Sequence, residues 1–278
     1  VFRKAVIVGV DDSAESLRAA AVGLRIAEAA KARLRIVCAV PGEQAVSQEV
    51  RRRLVTDLRR AVPAARIGSV DVVAGRAAHV LAARAARSRA GLVVLGGKRH
   101  GRLARALGGS TAHYLARMLD IPVLVTAGRS IRRVLIAVDL SAAGRRTLAA
   151  GIAFARLLGA RRRILHVVEP IRYAYVVPRA PDVAAFLARS RAALDRLVAS
   201  HGITTEEISL RPGVPAEAIG AEIARWKADL VVVGSHGKGF VDRALIGSTT
   251  EFLLNRLTAS LLIVPVAGGM ARRSRRAR

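Results

Sequence analysis

Acidic residues are scarce in this chain: 20 Asp and Glu stand against 47 Lys and Arg, a formal net charge of +27 over 278 residues. Cysteine is rarer still. The single Cys38 rules out a disulfide scaffold within the chain. It sits inside the apolar run 34–40, where a small core residue is expected rather than a nucleophile or metal ligand. A chain with no disulfide framework suits a reducing compartment, so a cytoplasmic location is expected. Aromatic residues make up only 3%, and no platform for stacking unpaired bases is visible. No apolar run reaches the roughly 18 residues of a membrane span. The N-terminal stretch passes straight into a strand pattern at Ala5, Val6 and Ile7, with no signal-peptide pattern before it.

Catalytic signatures are missing too. The histidines His79, His100, His113, His166, His201 and His236 are scattered singly, without HExxH or Cys–His spacing, so no metal site is expected. There is no GxSxG elbow for acyl transfer, no GxxxxGK[ST] and no GxGxxG. No catalytic residue is assigned. The positive charge is nearly all arginine, since the lysines are only Lys4, Lys31, Lys98, Lys227 and Lys238, and it is spread evenly over both halves. Such evenness reads as arginine on solvated faces rather than a dedicated nucleic-acid patch. The basic surface leaves room for weak nonspecific nucleic-acid binding. The exception is the tail 269–278, with Arg272, Arg273, Arg275, Arg276 and Arg278, expected to be disordered and able to contact phosphate or acidic partners.

What the chain does have is 52% apolar residues and an internal repeat. A strand pattern at 5–10 ends on Asp11 and Ser13; another at 134–138 ends on Asp139 and Ser141, 128 residues on (139 against 11). An apolar run at 92–95 leads into Gly96, Gly97, Lys98 and Arg99, followed by Gly109, Ser110 and Thr111. The run 230–233 leads into Gly234, 138 residues on (234 against 96). The longer second copy places its extra residues in 170–182, a proline-containing surface loop. Two copies of one domain explain the length better than one large domain. The expected boundaries are 1–128, 129–268 and the tail.

Within each copy strands and helices alternate. Ser13 or Ser16 can start a helix with Leu17, Ala20, Ala21, Leu24 and Ala27 on one face. Strands are expected at 34–40, 70–74, 92–95 and 122–126, and helices at 49–62, 77–88 and 111–119. The second copy repeats the order with 164–168, 184–200, 208–210, 216–226, 230–233, 250–257 and 261–264. The fold class is α/β: two tandem doubly wound domains, each a five-stranded parallel sheet flanked by helices. In such sheets ligands bind beyond the carboxyl ends of the strands, so Asp139, Val167 and Gly234 should line one crevice.

The loop after 230–233 reads Gly234, two residues, Gly237, nine residues, then Gly247 and Ser248. Glycine permits close backbone approach to an anion, and a helix N-terminus favours phosphate. By itself such a loop can equally be a turn, with Ser248 or Thr249 capping the next helix. Its spacing after a buried strand resembles the ATP-binding loop of the universal stress protein family. The resemblance covers the chain twice. Its other marks are Asp139-Leu140-Ser141, the strand through Leu165, His166, Val167 and Val168, the segment 213–219 and the run 228–234.

The resemblance implies an adenine-nucleotide α-hydrolase-like fold and ATP as ligand of the second copy, with Mg or Mn as a companion ion. Ala137, Val138 and Asp139 would meet the adenosine end, Asp139 accepting from ribose hydroxyls. Val167 would face adenine. Val233, Gly234, Gly237, Gly247, Ser248 and Thr249 would hold the phosphates, with His236 and Lys238 adding charge. For Asp139 a turn role, for Val167 a core role and for Lys238 a solvated charge remain the alternatives. The first copy keeps Asp11, Gly96, Gly109, Ser110 and Thr111, but Arg99 stands where the second glycine should be and Gly91 where the second copy has Asp229. That copy is expected to bind ATP weakly or not at all. Relatives often pair through the final strand, so either a homodimer or an internal pseudo-dimer of 122–126 beside 261–264 is implied. The functional expectation is a nucleotide-dependent stress-response or regulatory module acting on an unnamed protein partner. The alternatives are a basic interaction module without nucleotide, or a slow ATPase or autokinase using Ser248 or Thr249.

Overall fold

The computed structural model describes residues 2, 4–11, 13–42, 48–62, 69–97, 110–128, 130–169, 183–236, 246–256 and 258–265. The expected loop 170–182, the tail 269–278, and Arg99, Gly109, Gly237 and Lys238 lie outside them. The first half runs β1 (Val6–Val10), α1 (Ala14–Ala29), β2 (Leu34–Val40), α2 (Gln48–Ala61), β3 (Ser69–Ala74), α3 (Ala77–Arg87), β4 (Leu92–Gly96), α4 (Ser110–Met118) and β5 (Val123–Thr126). The second runs β6 (Arg133–Ala137), α5 (Ala142–Leu157), β7 (Arg161–Val168), α6 (Val183–Val198), β8 (Ile208–Pro212), α7 (Pro215–Trp226), β9 (Leu230–Gly234), α8 (Ser248–Arg256) and β10 (Ser260–Val264). Among the described residues no helix is long and apolar enough to cross a membrane.

All ten strands form one sheet, ordered β3-β2-β1-β4-β5-β10-β9-β6-β7-β8. Pairing is parallel within each half and antiparallel only where β5 meets β10, with Leu124 opposite Leu262. The central strands β1, β9 and β10 are buried almost throughout, which is why they read as continuous Val, Leu and Ile rather than as alternating patterns. On one face α1, α2, α5 and α6 cover a single core that runs through both halves, from Val8 and Leu58 to Leu148 and Leu194. On the other face α3 and α4 enclose Leu81, Val93 and Leu115, while α7 and α8 enclose Ile219, Val231 and Leu253. Leu254 packs against both of these clusters, and Ala116 of α4 belongs to the second-half one. The helices therefore interlock across the seam as the strands do.

The seam carries its own polar pair. Thr126 and Ser260 are buried, their hydroxyls lie 3.3 Å apart, and the Ala127 N–H donates to Ser260 Oγ at 3.1 Å. Asp229 stands just before β9, at the opposite end of that strand from Gly234. Its Oδ2 accepts from the N–H groups of Arg132 and Arg133, both at 2.9 Å, and so fixes the start of β6. Gly91 has no such carboxylate. The difference between the copies here concerns how a strand is anchored, not the crevice.

One carboxylate is buried without being isolated. Glu222 on α7 is 2% exposed and takes bonds from Arg225 (Nη2 at 2.6 Å), Arg163 (Nη1 at 3.1 Å) and Arg211 (Nε at 3.3 Å). Burial alone would push its carboxyl up. The bonds from the three guanidiniums, with the charge of Arg225, outweigh that and hold it below the ordinary glutamate value of 4.5. A carboxyl depressed in the folded state contributes stability that is complete above its unfolded value and is lost as pH falls through the folded one. Glu222→Gln should therefore cost on the order of 3 kcal/mol near neutrality. The difference from wild type should shrink below about pH 4.5. Urea unfolding of both proteins at pH 7 and pH 4 measures this; a gap that stays constant with pH would contradict it.

Candidate functional site

The carboxyl ends of β6, β7 and β9 open onto a cavity of about 240 Å³, near the lower bound of small-ligand sites. Its wall includes Ala137, Val138 and Asp139 after β6, Val167 on β7, Val233 and Gly234 on β9, His236, and Gly247, Ser248 and Thr249 at the start of α8. Ten residues from separate stretches of the sequence, all expected at the site, thus meet round one crevice. Leu165, His166, Glu169, Thr147, Pro215, Ile219 and Thr250 also line it and were not anticipated. Leu165 and Ile219 read as plain core residues in the sequence. His166 had a signal, being the single polar residue in the apolar run 164–168; its Nδ1 lies 2.9 Å from the Val138 carbonyl. Thr250 donates to the Gly234 carbonyl at 2.8 Å, tying α8 to the end of β9.

At one end of the cavity Asp139 divides its two oxygens between two environments. Oδ1 accepts from the Ser141 hydroxyl at 2.6 Å, and the Ser141 hydroxyl accepts in turn from the N–H groups of Ala143 and Gly144, capping α5. Oδ2 is shielded from solvent and has no hydrogen-bond partner among the described residues. The turn role and a ligand role for Asp139 are therefore compatible, one oxygen for each. A buried carboxylate oxygen left in that state is costly unless something donates to it.

At the other end α8 starts two residues before the expected Thr250. The Glu251 N–H bonds to the Gly247 carbonyl at 2.9 Å, so Gly247 occupies the cap position. Ser248 and Thr249 consequently sit within the first turn instead of capping it, and the N–H groups of 248–250 have no intrahelical acceptor. These groups and the positive end of the helix dipole suit an anion. The Gly247 N–H closes the loop by bonding to the Ser235 carbonyl at 2.8 Å, and Ser235 Oγ lies 3.0 Å from His236 Nδ1.

In the first half, leucine tips pack against the strand at the equivalent position. A Cβ on Gly9 would lie 2.9 Å from both Leu81 Cδ1 and Leu95 Cδ2, so these leucine tips close over the strand. The matching positions in the second half are Ala137, Ile219 and Val233, all cavity wall. A Cβ on Gly96 would meet the backbone of Glu15 and Ser16 at 2.7–2.8 Å, so the first turn of α1 presses on the end of β4. A Cβ on Gly234 meets nothing nearer than 3.1 Å. Asp11, which accepts from the Ser13 N–H, is exposed, and Ser110 and Thr111 begin α4 as Ser248 and Thr249 begin α8. Leu81 and Leu95 give the first copy's departure a physical basis beyond Arg99.

Gly144 is the position in the second half where glycine is required by space. A Cβ there would lie 1.9 Å from the Asp139 carbonyl oxygen and 2.5 Å from Asp139 Oδ1. Gly144→Ala must displace either the start of α5 or Asp139. It should cost at least about 2–3 kcal/mol by denaturant unfolding, whereas Gly220→Ala, with nothing within 4 Å of its Cβ, should be neutral or stabilising.

The universal stress protein family pattern matches this chain twice, over residues 3–127 and 130–265. A universal stress protein of Thermus aquaticus is 30% identical over 134 residues, which span 48% of this chain and 98% of that protein. Among solved structures, a universal stress protein from Archaeoglobus fulgidus DSM 4304 superposes with a TM-score of 0.69 at 17% identity, over 94% of this chain and 98% of that one. A functionally unknown protein from Pseudomonas aeruginosa PAO1 does so with a TM-score of 0.74 at 20% identity, over 94% and 92%. These structural likenesses speak for the fold. With a family match over both halves, a sheet in two parallel sets and the same strand order in each, the chain belongs to the universal stress protein family, as a tandem member.

Proposed function

We propose that this chain is an adenine-nucleotide-binding regulatory module that takes ATP in its second half. The observation that carries this reading is the cavity with complementary ends: a buried, unpartnered Asp139 Oδ2 at one and the first turn of α8 at the other. Asp139 accepts from the ribose hydroxyls, Val167 and Ala137 pack against the base, and Gly247, Ser248 and Thr249 receive the phosphates through backbone N–H groups. Among the described residues no group of three or more His, Cys, Asp or Glu is placed to hold a metal. A companion Mg or Mn ion would draw its oxygens chiefly from the triphosphate. The first half serves as a structural copy, its crevice occupied by Leu81 and Leu95. The output is the difference between bound and free states, and ATP biases it only by its differential affinity for the two.

The test copies the first half into the second. Ala137→Gly, Ile219→Leu and Val233→Leu together reproduce the three positions packed in the first half, where the tips of Leu81 and Leu95 leave no room for a Cβ at Gly9, and keep the core apolar. The triple variant should weaken ATP binding by at least about tenfold while moving the thermal midpoint by less than about 5 °C. Calorimetric ATP titration of both proteins, with mass analysis of nucleotide released from the purified wild type, reads this. Unchanged affinity in the triple variant, or no binding by wild type up to millimolar ATP, would sink the proposal.

A further inference from the structure

The arginine cluster on Glu222 carries more charge than its structural role uses. Three guanidiniums share one carboxylate, which leaves two positive charges in excess at one spot. The carboxylate lies beneath at 2% exposure, while the Arg163, Arg211 and Arg225 side chains are 23%, 42% and 54% exposed. Each guanidinium has five N–H donors. Arg225 commits Nε and Nη2 to Glu222, Arg211 only Nε, and Arg163 only Nη1. Both terminal nitrogens of Arg211 and Nη1 of Arg225 therefore have no partner among the described residues. Arg163 is held further by stacking over the Trp226 ring, 4.9 Å from its centroid. Fixing flexible arginines is a main cost of binding an anion, and here Glu222 and Trp226 have already met it.

Position separates this cluster from the helix end at Ser248. Arg211 sits on β8, the last strand of the sheet, in register with Val167, and Glu222 follows Ile219 by one turn of α7. The cluster thus lies beyond the wall formed by Val167 and Ile219, on the side of the cavity away from α8. We propose that Arg163, Arg211 and Arg225, preorganised on Glu222, form a second anion site that takes a phosphate or phosphomonoester group. Arg211 supplies the fork, Arg225 a further donor, and Arg163 the charge behind them. The proposal stands independently of ATP binding.

The test titrates inorganic phosphate into the full chain at constant ionic strength, following the Nε–H resonances of the arginines by NMR. Three proteins are compared: wild type, Arg211→Gln, and Ser248→Glu, whose carboxylate repels anions from α8. Saturable shifts at Arg211 and Arg225 are expected in wild type. They should weaken by about tenfold in Arg211→Gln and persist in Ser248→Glu. Should Arg211→Gln fail to fold, Arg211→Lys keeps the charge, removes the fork and should still weaken binding. Parallel titrations with a phosphoserine peptide separate a protein-borne phosphate, which then binds more tightly, from the free ion, which binds equally well. Equal shifts from chloride, no saturation by tens of millimolar phosphate, or binding lost in Ser248→Glu but kept in Arg211→Gln would each overturn the assignment.

Discussion

The antiparallel pairing of β5 with β10 is the interaction on which the rest of the molecule depends. Each half closes its sheet with a short, mostly apolar strand whose outer edge would otherwise expose a row of backbone donors and acceptors. Pairing the two edges satisfies them and turns two five-stranded sheets into one of ten strands. Because every other pairing is parallel, the antiparallel seam points the strands of the two halves in opposite directions. Their carboxyl ends, and the crevices beyond them, lie at opposite ends of the sheet. The seam also brings α4 and α8 together through Leu254, placing the helix that borders the candidate site against the other half.

The two copies of the scaffold differ at three packed positions around the strand ends. Leu81 and Leu95 over Gly9 complete a packed core in the first half, while Ile219 and Val233 beside Ala137 leave a cavity in the second. Filling such a space gains the transfer free energy and dispersion contacts that an empty crevice forgoes. The second half keeps a buried carboxylate oxygen and a set of unsatisfied helix N–H groups, features that stability alone would not favour.

Scarcity of acid shapes the electrostatics. In a chain of net charge +27 the few carboxylates stand at junctions: Glu222 gathers three arginines, Asp229 anchors the start of β6, and Asp139 organises the entry to α5. Glu207 follows the same logic. Burial raises its carboxyl, but the Thr204 N–H together with the bond and charge of Arg162 lowers it further than burial lifts it. Each of these carboxylates accepts directed donors, and the lowered carboxyls of Glu207 and Glu222 are the two that gather arginine.

The order of strands and helices, the repeat, and the residues at strand ends were all determined by the sequence, because alternating apolar runs leave a parallel sheet few ways to fold. Asp139, Val167 and Gly234 were legible as lining one crevice for the same reason: a crevice beyond the strand ends must be built from whatever stands at those ends. What only the tertiary structure decided concerns contacts between residues that look ordinary in one dimension. Leu81 and Leu95 read as ordinary core residues, and only the folded chain shows that their tips close on Gly9. Gly91 against Asp229 looked like a loss at the site, yet the aspartate lies at the far end of its strand. Glu222 resembled any charge on a helix face until Arg163 and Arg211 arrived from neighbouring strands. Sequence fixes which side chains are available and at what period; the distances that make them a cavity, a plug or a charge cluster arise when distant segments pack.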